Sequence, residues 1–530
     1  MARRRLLGIA LLAAVLHLIG LWRASLPAQD GLKFIRVARQ FQARPWIDVV
    51  RDSDQHPLYP ALIALAQPAA AAILGDGPEA WRIAAGGIST IASIALLFPL
   101  YGLAESLFDR RVAALTALLY VLLPLPGELA YDTLSDSLAL LFTVMALRLG
   151  AMTLRSRRFG PALGCGVLAG LGYWTRPEVL VVPLAVLVTA AARWVAARGR
   201  SWPRDATDLE DEARSGRAPV CWAGLAVAFL AMVGSYAFVK GELSEKLALR
   251  RVAVLPSQHD VPRRVGHPLP EGLDDPRWDF SPKEEAPGAD RLGFATACGR
   301  VFEAWGDGIG WYLFPLPLLA IRRTRPGAAC WLIVVYMILF SLILVRHTMT
   351  LGYLSGRHAL AIVLATLPWA AEGAMAFARI FGARLDSENI WARRWGLTFM
   401  VVLIGVCVSI LLKPDHPTRW GHLAAGRWLA RNARPGDAVL DTRGWAAFVS
   451  GRPNYDYWHV RQALTDARLA YVVVGADELS ACSRRAETLR AVLAYAAEPV
   501  ADFPERQGGS KVGVRVFRFR RPESWEGLRP

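Results

Sequence analysis

Long apolar runs, separated by short polar segments, recur along the first four-fifths of the 530-residue chain. A helix needs about 20 mainly apolar residues to cross the hydrocarbon core of a bilayer. The pattern therefore predicts a polytopic α-helical membrane bundle over residues 1–413, with about eleven spans. The predicted spans are 6–24, 80–101, 112–127, 133–151, 161–174, 178–196, 219–239, 308–321, 328–345, 358–378 and 396–412.

Two stretches between predicted spans are long enough to be external loops, residues 25–79 and 240–305. In the first, apolar residues between positions 32 and 41 follow a helical spacing. This spacing predicts a helix on the membrane surface, with Lys33, Arg36 and Arg39 facing lipid headgroups. The second loop is rich in Pro, Asp and Arg and is expected to be partly irregular.

Residues 414–530 lose the long apolar runs and are predicted to form a separate soluble domain. Short apolar runs typical of buried strands alternate there with segments of helical spacing. The predicted strands are 438–441, 470–475 and 512–519, and the predicted helices are 421–432 and 487–496. Alternation of strand and helix indicates a small α/β sandwich.

Composition and charge fix the class and the orientation. A chain with 54% hydrophobic residues is too apolar for a soluble globular protein of this size. The net charge of +16 comes from basic residues that collect between spans, which is typical of cytoplasmic loops and not of a nucleic-acid-binding patch. We expect a protein of the cytoplasmic membrane with its N-terminus inside, its C-terminal domain exported, and no nucleic-acid partner.

The six cysteines show no spacing typical of a structural zinc site. Cys298 and Cys482 would both be exported under this topology and could form a disulfide, although the sequence cannot test the required geometry.

Several short motifs follow one another in a characteristic order. They are Asp30-Gly-x-x-Phe-Ile-x-x-Ala-Arg, His56-Pro-Leu-Tyr-Pro, Leu134-Ser-Asp-Ser-Leu-Ala, Gly170-Leu-Gly-Tyr-Trp-Thr-Arg-Pro-Glu178 and Ser355-Gly-Arg-His358. In this order the chain resembles the GT-C class of integral-membrane glycosyltransferases. The likeness is to bacterial relatives of protein O-mannosyltransferases and of the aminoarabinose transferase that modifies lipid A.

The resemblance implies an inverting glycosyltransferase that takes a sugar from a polyprenyl-phosphate donor at the outer face of the membrane. The acceptor would be a lipid, a glycan or a protein. Two positions depart from the family pattern. The family often has Asp-Glu where this chain has Asp30-Gly31, and Pro-Pro where it has Pro57-Leu58.

Such a transfer needs a base for the acceptor hydroxyl, and the resemblance points to Asp30. The alternative for Asp30 is a helix N-cap. His56 could contact phosphate, assist a metal or orient the acceptor, or it could be a histidine in a turn before proline. Asp136, or Asp132, is the candidate second acid, against a capping role at the start of a span.

The departing phosphate needs cationic donors, and a guanidinium holds two phosphate oxygens at once. Arg357 and Arg176 are the candidates for this role, although an arginine near a helix end also serves as a snorkelling anchor. No cofactor is indicated with certainty. A divalent cation held by Asp30 and Asp136 is an option that the sequence leaves open.

Two other function classes fit a polytopic chain. A transporter or flippase of lipid-linked sugars would have repeat symmetry and functional groups near the membrane centre. An inactive scaffold presenting the soluble domain would tolerate the missing carboxylate at Gly31. The polar candidates of this chain instead cluster at one predicted surface, which favours the enzyme.

Overall fold

A computed structural model describes residues 2–198, 218–243, 273, 278–280, 292–324, 326–384, 398, 401–409 and 419–525. Within these residues a helical bundle is joined to a smaller domain built on a β-sheet. Most of the loop predicted over 240–305 and part of the predicted span 396–412 lie outside the described residues.

The bundle part is helical from its first residues. In chain order its helices are α1 (Ala2–Arg23), α2 (Gln29–Ala43), α3 (Trp46–Asp52), α4 (Leu58–Leu74), α5 (Pro78–Leu107), α6 (Arg110–Leu122), α7 (Pro124–Tyr131), α8 (Asp136–Ser156), α9 (Phe159–Tyr173), α10 (Val181–Arg198), α11 (Ala218–Lys240), α12 (Phe294–Ile309), α13 (Leu316–Ala320), α14 (Ala328–Leu351) and α15 (Leu360–Arg384). Short 3-10 helices Pro177–Leu180 and Gly356–Ala359 precede α10 and α15.

The predicted membrane bundle is confirmed, but its count of eleven spans is not. Among the described helices, seven are long and apolar enough to cross a bilayer. The bent pair of α6 and α7, which meet at 65°, makes an eighth if it is one broken span. The predicted span 161–174 corresponds to α9, which has only 15 residues.

The predicted span 308–321 is wrong. There α12 ends at Ile309, Gly310 adopts a φ of +80°, and only the five-residue α13 follows. Pro315 and Pro317 lack the backbone N–H that a helix interior needs, so the segment is apolar without being a continuous helix.

The arginine-rich segments lie at the end of the bundle away from Asp136. Asp136 begins α8 and Arg155 lies in its last turn, so about 30 Å separates their positions along the helix axis. Arg193, near the end of α10, donates to the carbonyl of Leu154 at 3.0 Å. This clustering agrees with the arginine bias that predicts the orientation. The assignment of this end of the bundle to the cytoplasm stays a prediction.

Helix α2 faces protein on both sides, which corrects the expected surface helix. Its apolar face packs on α4, with the rings of Phe34 and Tyr59 edge to face at 5.1 Å. Arg36 pairs with Asp456 of the C-terminal domain at 2.9 Å. Arg39 lies over the ring of Trp81 at 5.2 Å. The predicted helix is correct, but these two arginines contact protein groups.

The C-terminal domain is the predicted α/β sandwich. Its strands are β1 (Ala438–Asp441), β2 (Asn454–Tyr455), β3 (Leu469–Gly475), β4 (Ala497–Pro504) and β5 (Val512–Phe519), and its helices are α16 (Trp420–Asn432), α17 (Trp445–Ser450), α18 (Val460–Thr465), α19 (Ala476–Ser480) and α20 (Arg484–Ala496). The sheet order is β2-β1-β3-β5-β4. β1 is parallel to β2 and β3, whereas β5 is antiparallel to β3 and β4.

Side chains of the central strand β3 alternate between two apolar layers. Tyr471 and Val473 pack with α16 and α17, whereas Val472 and Val474 pack with α18 and α20. Because successive strand residues point to opposite faces, one buried strand supports helices on both sides of the sheet.

Two hydrogen bonds connect the C-terminal part of the chain to the segment that follows α1. The indole Nε1 of Trp445 donates to the carbonyl of Pro27 at 2.8 Å, and Arg419 donates to the carbonyl of Leu26 at 3.0 Å. Cys298 and Cys482 are both free cysteines, so the disulfide considered for them is not formed.

Candidate functional site

Asp30 is the second residue of α2. Its carboxylate accepts a hydrogen bond from Nη2 of Arg357 at 2.5 Å and another from Nζ of Lys33 at 3.1 Å. The N-cap position of α2 belongs to Ala28, which makes no side-chain capping bond. The described hydrogen bonds of the Asp30 carboxylate therefore come from cationic side chains, and the capping alternative is not what the structure has.

Gly31 explains why Asp30 has no acidic neighbour in the next position. A Cβ built on Gly31 would lie 1.9 Å from Oγ1 of Thr133 and 2.6 Å from its carbonyl oxygen. Thr133 lies in the break between α7 and α8, so α2 crosses that break at a distance only glycine permits. A carboxylate side chain in place of Gly31 has no room here.

Arg357 reaches Asp30 from the 3-10 helix before α15. Ser355 and His358 form a reciprocal capping box around this turn, in which the Ser355 N–H donates to Nδ1 of His358 at 3.3 Å. This local pairing fixes the turn that carries Arg357. The motif Ser355-Gly-Arg-His358 thus has a structural reason as well as a charge.

A second acid–arginine pair lies nearby. Asp136, the first residue of α8, accepts a hydrogen bond from Nη1 of Arg176. Nε of Arg176 lies 3.5 Å from Oε2 of Glu178. The side chains of Asp136 and Arg176 are 6% and 16% exposed, against 38% and 27% for Asp30 and Arg357. The preceding Ser135 makes no side-chain capping bond.

A cavity within the bundle, here the bundle cavity, has a volume of about 60 Å³. Its lining combines charged groups at helix ends with apolar groups one or two turns deeper. The lining includes Asp136, Arg176, Glu178, Arg357, His358, Leu140, Phe340, Ile343 and Leu344. Such a lining suits a molecule with an anionic head and an apolar chain.

A larger cavity of about 520 Å³, here the interdomain cavity, lies between α2 and the C-terminal domain. Asp30 lines it, whereas its partner Arg357 lines the bundle cavity. The Asp30–Arg357 pair therefore stands where the two cavities approach each other.

Eight of the eighteen described residues lining the interdomain cavity are charged, four acidic and four basic. Each base is within salt-bridge distance of one of the acids. The pairs are Lys33–Asp30 at 3.1 Å, Arg36–Asp456 at 2.9 Å, Arg443–Asp477 at 2.9 Å and Arg485–Glu478 at 3.8 Å.

The charges around Asp30 control its ionisation. Burial opposes ionisation of the carboxyl, but the charges and hydrogen bonds of Lys33 and Arg357 outweigh this effect. The pKa of Asp30 therefore lies well below its ordinary value. The group is an ionised carboxylate at neutral pH, with its basicity held down by Lys33 and Arg357 together.

The considered cation site at Asp30 and Asp136 does not fit this arrangement. Each carboxylate is engaged by an arginine. Across the described residues, no group of three or more His, Cys, Asp or Glu side chains could hold a metal ion. We derive no step through a metal.

The described ring contacts of His56 are with two tyrosines outside both acid–arginine pairs. Its ring stacks on Tyr236 at 5.0 Å and meets Tyr173 edge-on at 5.5 Å. It is not among the residues that line the bundle cavity or the interdomain cavity. The structure thus brings Asp30, Arg357, Asp136 and Arg176 together and leaves His56 in an aromatic cluster.

Asp132 has a bridging role. Its carboxylate accepts from the backbone N–H of Ala28 at 2.8 Å and lies 3.5 Å from Arg419. It thereby joins the chain after α1 to the start of the C-terminal domain. Of the two acids considered, only Asp136 lines the bundle cavity.

Sequence reasoning missed the contribution of the C-terminal domain to the site. Twelve of the eighteen lining residues of the interdomain cavity come from that domain, among them Arg443, Asn454 and Glu478. No spacing in the sequence connects them with Asp30, because more than 400 positions separate them along the chain.

Comparison with known proteins bears on this architecture. Residues 55–203 match the family described as dolichyl-phosphate-mannose-protein mannosyltransferase. No curated protein sequence matches the chain. The structure is similar to that of ArnT from Cupriavidus metallidurans bound to undecaprenyl phosphate, with a TM-score of 0.57 and 14% identity over 99% of each chain.

Two further solved structures are similar. Apo ArnT from the same organism has a TM-score of 0.55 and 14% identity, over 96% of this chain and 98% of that one. The apo oligosaccharyltransferase of Archaeoglobus fulgidus has a TM-score of 0.51 and 13% identity, over 94% and 73%. The chain is thus an integral membrane protein with the fold of the GT-C class of glycosyltransferases, as the order of its motifs predicts.

Proposed function

We propose that the protein is a glycosyltransferase that moves a sugar from a polyprenyl-phosphate donor to an acceptor at the outer face of the cytoplasmic membrane. Anomeric configuration is inverted in the transfer. The observation that carries the proposal is the position of the Asp30–Arg357 pair between a bundle cavity and an interdomain cavity.

The lining of the bundle cavity suits the donor headgroup, and its volume of about 60 Å³ means that the cavity must widen to admit a sugar phosphate. A polyprenyl phosphate carries an anionic head on an apolar chain. Its phosphate would replace Asp30 on Arg357, whose pair is partly exposed and separates at modest cost, while Arg176 stays paired with Asp136. Leu140, Ile343 and other apolar side chains line the deeper part of the cavity. The ArnT structure with the similar fold holds undecaprenyl phosphate, which is a lipid of this kind.

The interdomain cavity suits the acceptor, and Asp30 faces it as the base. In the transfer, the acceptor oxygen forms a bond to the anomeric carbon. The bond from that carbon to the phosphate oxygen breaks, and its electron pair leaves with the phosphate. The hydroxyl proton passes to Asp30. Attack from the face opposite the phosphate inverts the anomeric centre.

Arg357 links the two halves of the reaction. Before the donor binds, Lys33 and Arg357 together hold the pKa of Asp30 low. A donor phosphate beside Arg357 would share its positive charge, and Asp30 would become more basic as the donor arrives. The same guanidinium would stabilise negative charge on the departing phosphate.

The rival functions find less support. A transporter would be expected to hold its polar groups near the membrane centre. Here Asp136 begins α8, and Arg357 precedes α15. The inactive scaffold rested on the missing carboxylate at Gly31, and close packing against Thr133 gives a structural reason for glycine at that position.

The test is transfer by purified protein supplied with synthetic polyprenyl-phosphate sugars and a panel of lipid, glycan and peptide acceptors. We expect donor-dependent product with inverted configuration by NMR, and its loss in Asp30→Asn. The matched control is Asp502→Asn, which removes an acid paired with Arg515 at 3.4 Å elsewhere in the chain. Wild-type protein that consumes no donor would overturn the proposal.

A further inference from the structure

The charged lining of the interdomain cavity is internally neutralised. The four acids and four bases on its walls pair with one another, as described above. An acceptor rich in phosphate, or a polycation, would have to displace these pairs in order to be recognised by charge. The cavity is therefore suited to a ligand that is polar and uncharged.

Two amide side chains remain available for such a ligand. Gln29 lines the cavity from α2, beside Asp30, and Asn454 lines it from β2 on the C-terminal wall. Among the described residues, neither amide has a side-chain hydrogen-bond partner, and both residues are exposed. An amide both donates and accepts. A sugar hydroxyl does the same, so amides on opposite walls match a hydroxyl-bearing ring placed between them.

An exposed aromatic ring completes this arrangement. Tyr353 is 53% exposed and lines the cavity four positions before Arg357. One face of a sugar ring presents C–H groups, which pack on an aromatic surface, while its edges present hydroxyl groups. Tyr353, Gln29 and Asn454 offer both kinds of contact.

Size and polarity disfavour the other acceptor classes. A volume of about 520 Å³ lies within the range of small-ligand sites, roughly 300–1,000 Å³. It suits one or two sugar rings. Only four of the described lining residues, Leu32, Ala481, Ala486 and Leu489, have apolar side chains. A lipid chain would find little apolar surface there.

We propose that the acceptor is a carbohydrate, bound in the interdomain cavity by Tyr353, Gln29 and Asn454 with its attacking hydroxyl towards Asp30. This inference rests on the proposed transferase function and names the acceptor class for it. The C-terminal domain then supplies acceptor recognition, through Asn454, to chemistry at Asp30.

The experiment titrates saccharide acceptors, as methyl glycosides and disaccharides, against variants of the full-length protein. Gln29→Ala and Asn454→Ala should each raise the acceptor KM roughly two- to tenfold, as loss of one hydrogen bond predicts. Tyr353→Ala should do the same, whereas Tyr353→Phe keeps the ring and should stay close to wild type. The donor KM should change less than the acceptor KM.

Two substitutions outside the cavity serve as controls. Asn432→Ala removes an amide that donates to the carbonyl of Trp428, and Tyr495→Ala removes a ring whose hydroxyl donates to the carbonyl of Ser524. Both should leave the acceptor KM at its wild-type value.

A second readout needs no donor. Saturation-transfer NMR with the same saccharides should detect binding to wild-type protein and weaker binding to Asn454→Ala. Transfer to peptide or lipid acceptors with no saccharide used or bound would overturn this inference while leaving the transferase function intact. Unchanged acceptor KM in all three alanine variants would overturn it as well. Absence of donor consumption with any acceptor would instead overturn the proposed function itself.

Discussion

The two acid–arginine pairs of the site are alike in chemistry and different in setting. Asp30 and Arg357 are 38% and 27% exposed and stand between two cavities. Asp136 and Arg176 are 6% and 16% exposed and lie at the edge of the bundle cavity alone. A partly exposed pair is held weakly because water screens it, whereas a buried pair that loses one partner leaves a charge without compensation.

From this difference in exposure we infer different tasks for the two pairs. Asp30 and Arg357 can separate at modest cost, which a base and a phosphate-binding group must do during a reaction. Asp136 holds Arg176 in place, and Glu178 adds a second acid at 3.5 Å. We infer that the looser pair performs the chemistry and that the buried pair positions the arginine beside it.

The largest expected effect is on turnover. Asp30→Asn keeps the shape of the side chain but cannot take a proton, so kcat should fall by roughly 10²- to 10⁴-fold. The melting temperature should stay close to wild type, because the pair is partly exposed. Turnover near the wild-type value would remove Asp30 from the chemistry and end the distinction drawn between the pairs.

A substitution in the buried pair should lower the stability of the protein, whereas Asp30→Asn should hardly change it. Asp136→Asn leaves the Arg176 charge with Glu178 alone, and should cost about 3 kcal/mol of unfolding free energy. The triple variant Asp136→Leu, Arg176→Met and Glu178→Gln should recover much of this loss, because it leaves none of the three groups as a charge without its described partner. Thermal melts of the three proteins make the comparison. Equal melting temperatures for Asp136→Asn and Asp30→Asn would contradict the expected difference in stability between the two pairs.

Arg357 tests whether the looser pair binds phosphate. Arg357→Ala should weaken donor use by about 1.5–3 kcal/mol, roughly ten- to a hundredfold, and Arg357→Lys by less. The matched controls are Arg346→Ala and Arg346→Lys, at an exposed arginine of α14, and both should leave donor use unchanged. A snorkelling arginine tolerates lysine, since lysine also snorkels. Donor titrations in which Arg357→Lys equals wild type would leave Arg357 as an anchor.

Gly31 tests the packing that holds Asp30 in position. Gly31→Ala should destabilise the protein by about 1–3 kcal/mol, because its Cβ would meet both the side chain and the carbonyl of Thr133. Gly87→Ala in α5 is the matched control, since a Cβ there meets nothing within 4 Å. Thermal melts that show equal stability for the two variants would mean that α2 shifts freely.

The smallest effect is on acid stability. The folded-state pKa of Asp30 is lowered, so its contribution is present above the unfolded pKa of about 3.9 and is lost as pH falls through the folded value. The small difference in melting temperature between wild type and Asp30→Asn should therefore shrink below about pH 4. A difference that grows with acidification would contradict the lowered pKa.

Much of the fold could be predicted from local pattern. Strands β1, β3 and β5 lie within one residue of their predicted bounds, because buried apolar runs between turn residues mark central strands well. β4 was missed because its exposed face and its two prolines, Pro499 and Pro504, conceal an edge strand. β2 has only two residues, too few to form a pattern.

Candidate residues of the site could be chosen from the sequence only where a charged residue lies at the end of a predicted span. Asp30, Asp136, Arg176 and Arg357 could be chosen because they lie in the motifs that carry the GT-C resemblance and stand beside apolar spans, where a charged side chain is costly. His56 had the same appearance in sequence, and packing placed it against Tyr236 and Tyr173 instead. A sequence shows that a charged residue lies near the membrane, where it needs a partner. It does not show which residue that partner is.

The sequence by itself determined the membrane class, the α/β nature of the C-terminal domain and the GT-C resemblance, because these follow from periodicity, composition and motif order. Tertiary structure decided which residues meet. It paired Asp30 with Arg357 and Asp136 with Arg176, and it brought Asn454 to the cavity that Asp30 lines. The physical reason is that hydrophobic pattern acts over a few neighbouring residues, whereas ion pairs and cavities form between segments hundreds of positions apart.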